Sequence, residues 1–287
     1  MVTKTGTRHE PGEFRFKRFS VRNERSAMKV NTDGVILGAA MTITGDERHI
    51  LDIGTGTGTI ALMAAQRISD ILKGKDTALQ TGQDRFNGTD GDEKDCRSGA
   101  DTGIAGNIGF MITGIDIDKD SAEEAAWNFS RTEWSGHLKA AHLSLDEYAA
   151  VLTPETRFCL ICSNPPYYTG DLKAPDMRRC NARHSGSMSW QDITDFAEKF
   201  LSEDGRLALI LPSDQERNLI RHAAMKGLYA SRLLHIRTVH RKAPGRTVAE
   251  FLRYRTADMA EDMLTIQDGG AYTPEYKSLL SDFLVNF

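Results

Sequence analysis

The chain has 287 residues, with 36 Lys+Arg against 40 Asp+Glu, a formal net charge of -4, and 40% hydrophobic and 26% charged residues. That composition is globular and excludes a collagen, a disordered tail protein and a disulfide scaffold. No apolar run approaches the roughly 20 residues that span a bilayer, and the polar opening MVTKTGTRHEPGEF has no apolar signal core, so a cytoplasmic protein with no membrane partner is expected.

Residues 1–13 read as a disordered N-terminus and 14–287 as a single domain. From Phe14 to Met41 aromatic, basic and glycine positions mix, and the chain then turns apolar. His49–Ile53 reads as a short buried strand, and a glycine-rich stretch follows it at once. Thr59–Leu72 reads as a helix, its apolar stripe formed by Ala61, Leu62, Ala64, Ala65, Ile68 and Leu72. Residues 73–109 break the periodicity: they hold 8 of the 25 glycines and few large apolar side chains, so a flexible insertion is expected there. Strand Phe110–Ile115, helix 119–133, a weaker strand near 138–145 and strand 158–163 follow. After a long polar loop come helix 189–202, strand Arg206–Leu211, helix 213–226, and strands 228–241 and 247–255 joined by the basic turn Arg241–Arg246. Strands alternating with helices predict a doubly wound α/β sheet, with its ligand at the C-terminal strand ends.

The charge is not spread evenly. Residues 173–255 hold 16 Lys/Arg and 9 Asp/Glu, and residues 1–37 hold 8 and 4, so the rest of the chain carries -15. A polyanion responds to the local field, and the basic stretches are candidates to meet one. Of the four cysteines, Cys159 and Cys162 form a C-x-x-C, but no second ligand pair stands at zinc-finger spacing and no metal is expected. On a strand, side chains three apart point to opposite faces, which reads as two small packed hydrophobes.

The first strand runs into Asp52-Ile53-Gly54-Thr55-Gly56-Thr57-Gly58 and then a helix. Glycines let the backbone turn tightly and approach a ligand closely. The second strand ends at Asp116, where a carboxylate can accept both ribose hydroxyl protons of an adenosine ligand. A dinucleotide fingerprint would place its third glycine at position 59, which is Thr59, and this speaks against a nucleotide-dependent oxidoreductase. The G-x-G-x-G spacing, with Asp52 two residues ahead, resembles class I S-adenosylmethionine-dependent methyltransferases. The resemblance implies S-adenosyl-L-methionine as cofactor, held by Asp52, Gly54, Thr55, Gly56, Gly58, Asp116, Ile117 and Asn164. It also implies a Rossmann-like seven-stranded sheet, mostly parallel with a final antiparallel strand.

Strand 158–163 ends in Ser163-Asn164-Pro165-Pro166-Tyr167. Pro165 pushes Asn164 into extended geometry, and the two prolines form a rigid ledge with no backbone N–H. The ledge presents acceptors, the Asn164 side-chain oxygen and the Pro165 carbonyl, beside the Tyr167 ring. Such a pair suits an NH₂ group whose conjugated lone pair must be turned toward a methyl donor, so positioning supplies the rate. The motif resembles that of amino methyltransferases, which include adenine-N6, guanine-N2 and release-factor glutamine-N5 enzymes, and it does not choose between them. A non-catalytic RNA-binding module would not need this ledge.

Two N-terminal stretches, Phe14–Val21 and Ala27–Ala39, resemble the opening of the bacterial tRNA1(Val) adenine-37 N6-methyltransferase family. So do the loop Leu172–Asp176, Ala182-Arg183-His184 and Ser187-Met188-Ser189, and the turn Lys242–Phe251. Asn31 stands where that family usually has Gly, and Met41 where Trp is common; the third strand ends His142-Leu143-Ser144, leaving Ser144, Asp146 or neither to meet the cofactor's adenine amine. The resemblance implies adenine 37 in the anticodon stem-loop of tRNA1(Val) as substrate, with no obligatory protein partner. Asn164, Pro165, Pro166 and Tyr167 would then position the base. Lys29, Arg183, Lys242 and Arg246, with Arg15, Lys17 and Arg18, would meet the RNA, and His184 is a weaker candidate.

Overall fold

A computed structural model of the chain describes residues 12–82, 109–166 and 188–286. The elements, in chain order, begin with a hairpin of β1 (Glu13–Arg15) and β2 (Ser20–Arg22), then α1 (Thr32–Ala40), β3 (His49–Ile53) and α2 (Thr59–Gly82). Next come β4 (Met111–Asp116), α3 (Lys119–Ser130), β5 (Leu138–His142), α4 (Leu145–Val151) and β6 (Phe158–Ser163). The described chain resumes with α5 (Trp190–Phe200), β7 (Leu201–Pro212), α6 (Glu216–Met225), β8 (Tyr229–Val239) and β9 (Arg246–Leu252), and it ends with β10 (Ala260–Asp268), β11 (Ala271–Tyr272) and α7 (Pro274–Leu280).

Nine strands form one sheet in the order β5-β4-β3-β6-β7-β9-β8-β10-β11. β5 through β7 run parallel, and β9 is antiparallel to both of its neighbours. This contains the expected seven strands, with the seventh, β9, antiparallel as expected; β10 and β11 follow it in the chain. β10 adds in parallel to β8, and β11 pairs antiparallel with β10. In β10 only Leu264 and Thr265 are buried, so no two-residue alternation marks it as a strand.

Alternation does decide the two faces elsewhere. On β7, Ala208 and Ile210 join one core with α1, α2 and α7, while Leu207, Leu209 and Leu211 join the other with α5 and α6. On β6, Leu160 and Cys162 face the first core and Ile161 the second; Cys162 is buried and Cys159 half-buried. Helices therefore cover both faces.

Several segment boundaries differ from the sequence expectation; β7, for one, begins at Leu201, five residues before the expected Arg206 and inside the end of the expected helix 189–202. α2 continues past Lys73 to Gly82, because Lys, Asp, Ala, Leu and Gln sustain a helix without an apolar stripe. β1 begins at Glu13, where the hairpin packs Phe16 into the core and bridges it to Leu284. The remainder of the expected disordered N-terminus and of the insertion lies outside the described residues.

The chain leaves β5 at one edge and returns to β6 beside β3. The C-terminal ends of β3, β4 and β6 thus meet where the strand order reverses, which is where open α/β sheets hold their ligands.

Candidate active site

The turn from β3 into α2 is the floor of the site. Gly58 has φ of 81°, and a Cβ there would stand 2.4 Å from the Phe129 ring, so no larger residue fits between the turn and α3. Gly56 has φ of 54°, and its N–H is turned outward to Asp116 Oδ2 at 2.9 Å. The N–H groups of Gly54 and Thr55 both donate to Ile115 O at 2.9 Å, which ties the turn to β4.

Asp52 lies fully buried at the end of β3 and accepts Thr55 Oγ1 at 2.7 Å. Burial pushes its carboxyl up to about 7, against the opposing hydrogen bond from Thr55. The Cys162 thiol lies 3.9 Å from Asp52 Oδ1, and burial holds that thiol well above its ordinary range. Asp52 therefore braces the turn from below and is not exposed to a ligand. Asp116 is half-buried; it accepts Gly56 N–H on one oxygen and Asp118 N–H on the other, both at 2.9 Å. Burial raises its pKa, and the two N–H donors oppose that rise. Beside it Ile117 is 52% exposed, an apolar side chain left uncovered at a strand end.

Ser144 is the N-cap of α4 in a capping box: its hydroxyl donates to Glu147 Oε2 at 2.8 Å and accepts Glu147 N–H at 3.2 Å. Asp146 is exposed in the same turn.

The ledge closes the opposite side. Ser163 Oγ donates to Ile53 O at 2.6 Å, joining the end of β6 to the end of β3. Asn164 is 6% exposed, Pro165 is buried and Pro166 is exposed. The Asn164 Nδ2 group donates to Asn31 Oδ1 at 3.4 Å and to Met28 Sδ at 3.7 Å.

Those two partners belong to a wall of which sequence alone had assigned only Lys29 to the site. Residues 22–31 cross the glycine turn as a strap. Buried Glu124 of α3 accepts the backbone N–H groups of Glu24, Arg25 and Ser26 at 3.0, 3.0 and 2.8 Å. Asn128 Nδ2 bridges Arg22 O and Thr57 O, and Ser121 Oγ accepts Ala27 N–H. Strap, turn and ledge together enclose a cleft of about 310 Å³, part of it open to solvent, bordered by Met28, Asn31, Gly54, Gly56 and Asn164 among others. The readable signal for the strap was the Asn31-Thr32-Asp33 N-cap pattern at the start of α1.

Lys29 also borders the cleft, with its Nζ donating to Glu24 O. Lys242 is exposed on the β8–β9 turn. Arg246 is not a bare cation, since its Nε donates to Asp33 Oδ2 at 2.8 Å. Arg18 is neutralised by Asp70 and Glu133 and lies over the Trp134 ring, and Lys17 donates to Ser281 O. Arg15 is exposed on the hairpin. Tyr167, Arg183 and His184 lie outside the described residues. Among the described residues no cluster of three His, Cys, Asp or Glu could hold a metal.

A family model described as an RMKL-like methyltransferase domain matches residues 38–242. The tRNA1(Val) (adenine(37)-N6)-methyltransferase of Trichodesmium erythraeum (strain IMS101) is 33% identical over 276 residues, covering 96% of this chain and 98% of that protein. The enzyme of the same name from Pedobacter heparinus is 34% identical, covering 96% and 98%. Among solved structures, a predicted O-methyltransferase of Agrobacterium tumefaciens superposes with a TM-score of 0.56 at 13% identity, over 88% of this chain and 96% of that one. At that identity the likeness speaks for the fold.

Proposed function

Since the chain belongs to the tRNA1(Val) (adenine(37)-N6)-methyltransferase family, we propose that it methylates N6 of adenine 37 in the anticodon loop of tRNA1(Val) with S-adenosylmethionine as cofactor. One observation carries the reading: Asn164 of the ledge and the glycine turn border one cleft, so an acceptor amine and a methyl donor can meet there. The relatives' names speak for adenine N6 over guanine-N2 and glutamine-N5 acceptors.

The cleft fits the cofactor in one testable respect. Gly54 and Gly56, with φ of 69° and 54°, hold the turn in a left-handed backbone that glycine adopts without strain, and both border the cleft where a ligand would approach the backbone closely. Bound S-adenosylmethionine supplies an electrophilic methyl on a sulfonium that is already a good leaving group. Gly54, Thr55 and Gly56 line the path of its methionine and ribose parts, and Asp116 accepts the ribose hydroxyls on the lone pairs its two N–H donors leave. The exposed Ile117 side chain would offer an apolar contact to the cofactor's adenine. Asp52 and Gly58 act one layer back, by fixing the shape of the turn.

At the other end the Asn164 oxygen and the Pro165 carbonyl accept the two protons of the base's NH₂. That holds the nitrogen with its lone pair toward the methyl and disfavours its conjugation with the ring. Tyr167 is the aromatic residue that would stack on the base, and water would accept the proton released after transfer. An anticodon-loop base is single-stranded and reaches such a pocket at low cost. The basic excess of residues 1–37 and 173–255 supports contact with RNA phosphates by Lys29, Arg183 and Lys242, with Arg246 oriented by Asp33. A cytoplasmic location goes with a bacterial tRNA substrate; among the described residues no helix is long and apolar enough to cross a membrane.

The test is transfer of tritium from labelled cofactor to tRNA lacking the modification, with nucleoside digestion to identify N6-methyladenosine. Asn164→Ala is expected to lower kcat by about 100-fold or more, leaving cofactor affinity within about threefold. Wild-type turnover in that variant would refute the positioning mechanism.

A further inference from the structure

The orientation of Asn164 has to come from somewhere, because a carboxamide can face either way with almost the same shape. Its neighbour Asn31 cannot turn. Asn31 Oδ1 accepts Gly34 N–H at 2.8 Å as the N-cap of α1, and Asn31 Nδ2 donates to Lys29 O at 3.0 Å. Both ends of that amide are set by backbone groups whose polarity is fixed. Asn31 therefore shows Asn164 an acceptor, and the group of Asn164 that meets it has to be a donor. The Nδ2 group is found there, at 3.4 Å, with Met28 Sδ as a second weak acceptor at 3.7 Å. The Asn164 oxygen is thereby directed to the other side of its amide.

We infer that Asn31 is a positioning residue: it sets the amide orientation of Asn164 so that the oxygen serves as acceptor for the substrate amine. The inference deepens the proposed function and rests on it for the identity of the amine. It also explains why the strap matters to chemistry as well as to cofactor binding. Met28 and Asn31 border the cleft and touch Asn164, and the strap that carries them is held to α3 through Glu124. A purely capping role for Asn31 would leave Asn164 indifferent to it.

Two variants separate the roles. Asn31→Gly keeps most of the N-cap and removes the acceptor; Asn31→Asp keeps both the cap and an acceptor oxygen. Each is measured for kcat and KM on tRNA1(Val) lacking the modification, for S-adenosylhomocysteine affinity, and for the Asn164 side-chain amide signals in ¹⁵N NMR, assigned by their loss in Asn164→Ala. Asn31→Gly is expected to lose about tenfold in kcat, the scale of one neutral hydrogen bond, with KM and cofactor affinity within about twofold. Its Asn164 signals should broaden as the amide turns over. Asn31→Asp should recover kcat to within about threefold and keep the signals sharp. An unchanged kcat in Asn31→Gly, a loss that moves with KM, or sharp Asn164 signals in both variants would overturn the inference. A wild-type protein inert on RNA would sink the proposed function alone, and the NMR signals would then decide for or against Asn31.

Discussion

The two ends of α1 are held in opposite ways. At its carbonyl end, Arg67 donates to Gly38 O and Met41 O, Arg232 to Ala40 O and Arg206 to Thr42 O. Buried Glu250 binds Arg232 at 2.8 Å and Arg206 at 3.3 Å, and Thr42 N–H donates to it as well. Cations at that end also suit the helix dipole. At the amide end one neutral side chain, Asn31, caps the helix, and one partly exposed pair, Arg246–Asp33, steadies it. The carbonyl end meets the centre of the sheet, and the amide end faces the cleft. The buried ionic network is thus placed away from the site, and one neutral cap with one partly exposed ion pair is left where geometry has to be set.

The largest effect is expected at the anchored end. Glu250→Ala leaves two arginines without their shared buried carboxylate and should cost about 3–5 kcal/mol, lowering Tm by on the order of 10 °C. Calorimetry checks the first part. Cofactor affinity of the folded protein should stay within about twofold, since the substitution is remote from the cleft; a large loss of affinity would break the contrast between the two ends.

Asp52 sharpens the contrast from beneath the cleft. Its carboxyl lies at about 7 in the folded protein against an ordinary 3.8, because burial disfavours the charge. Between those values the native state keeps a proton that the unfolded chain releases, so this group's contribution to stability falls as pH rises through that window. Relative to wild type, Asp52→Asn should gain up to roughly 4 kcal/mol between pH 4 and 8, read from urea midpoints at each pH. An equal pH slope in both proteins would show that Asp52 does not carry it.

A smaller effect is expected at the strap. Glu124→Gln weakens three charge-assisted bonds to backbone N–H groups and should cost about 1–3 kcal/mol. Calorimetric titration should show weaker S-adenosylhomocysteine binding, because one wall of the cleft is loosened. Smallest is Asp33→Asn at the amide end, under about 1 kcal/mol for a solvent-facing pair. Its difference from wild type should vanish in 1 M salt, where screening reaches about 3 Å.

Much of this was legible in order along the chain. β6 is bounded by the residues its apolar run predicts, and β3, with its glycine turn, follows from a short buried run before G-x-G-x-G. Asp116 and the Asn164-Pro165 ledge follow from their places at strand ends; Asn164 borders the same cleft as the glycine turn, and Asp116 holds that turn through Gly56 N–H. β10 was not legible, since only two of its residues are buried and it owes its place to pairing with β8. α2 overran its predicted end because helix-forming residues continue past the last position of its apolar stripe.

The sequence by itself determined the doubly wound sheet, the glycine turn after β3 and the Asn-Pro-Pro ledge after β6, because each is written in neighbouring residues with strong local preferences. Tertiary structure alone decided what surrounds them. Glu124 meets a strap about 100 residues away, Arg246 meets Asp33, and Asn31 meets Asn164 across 133 positions. Such contacts have no local pattern. They exist because the folded chain leaves polar groups, backbone and side chain alike, that have to find partners wherever the fold places them.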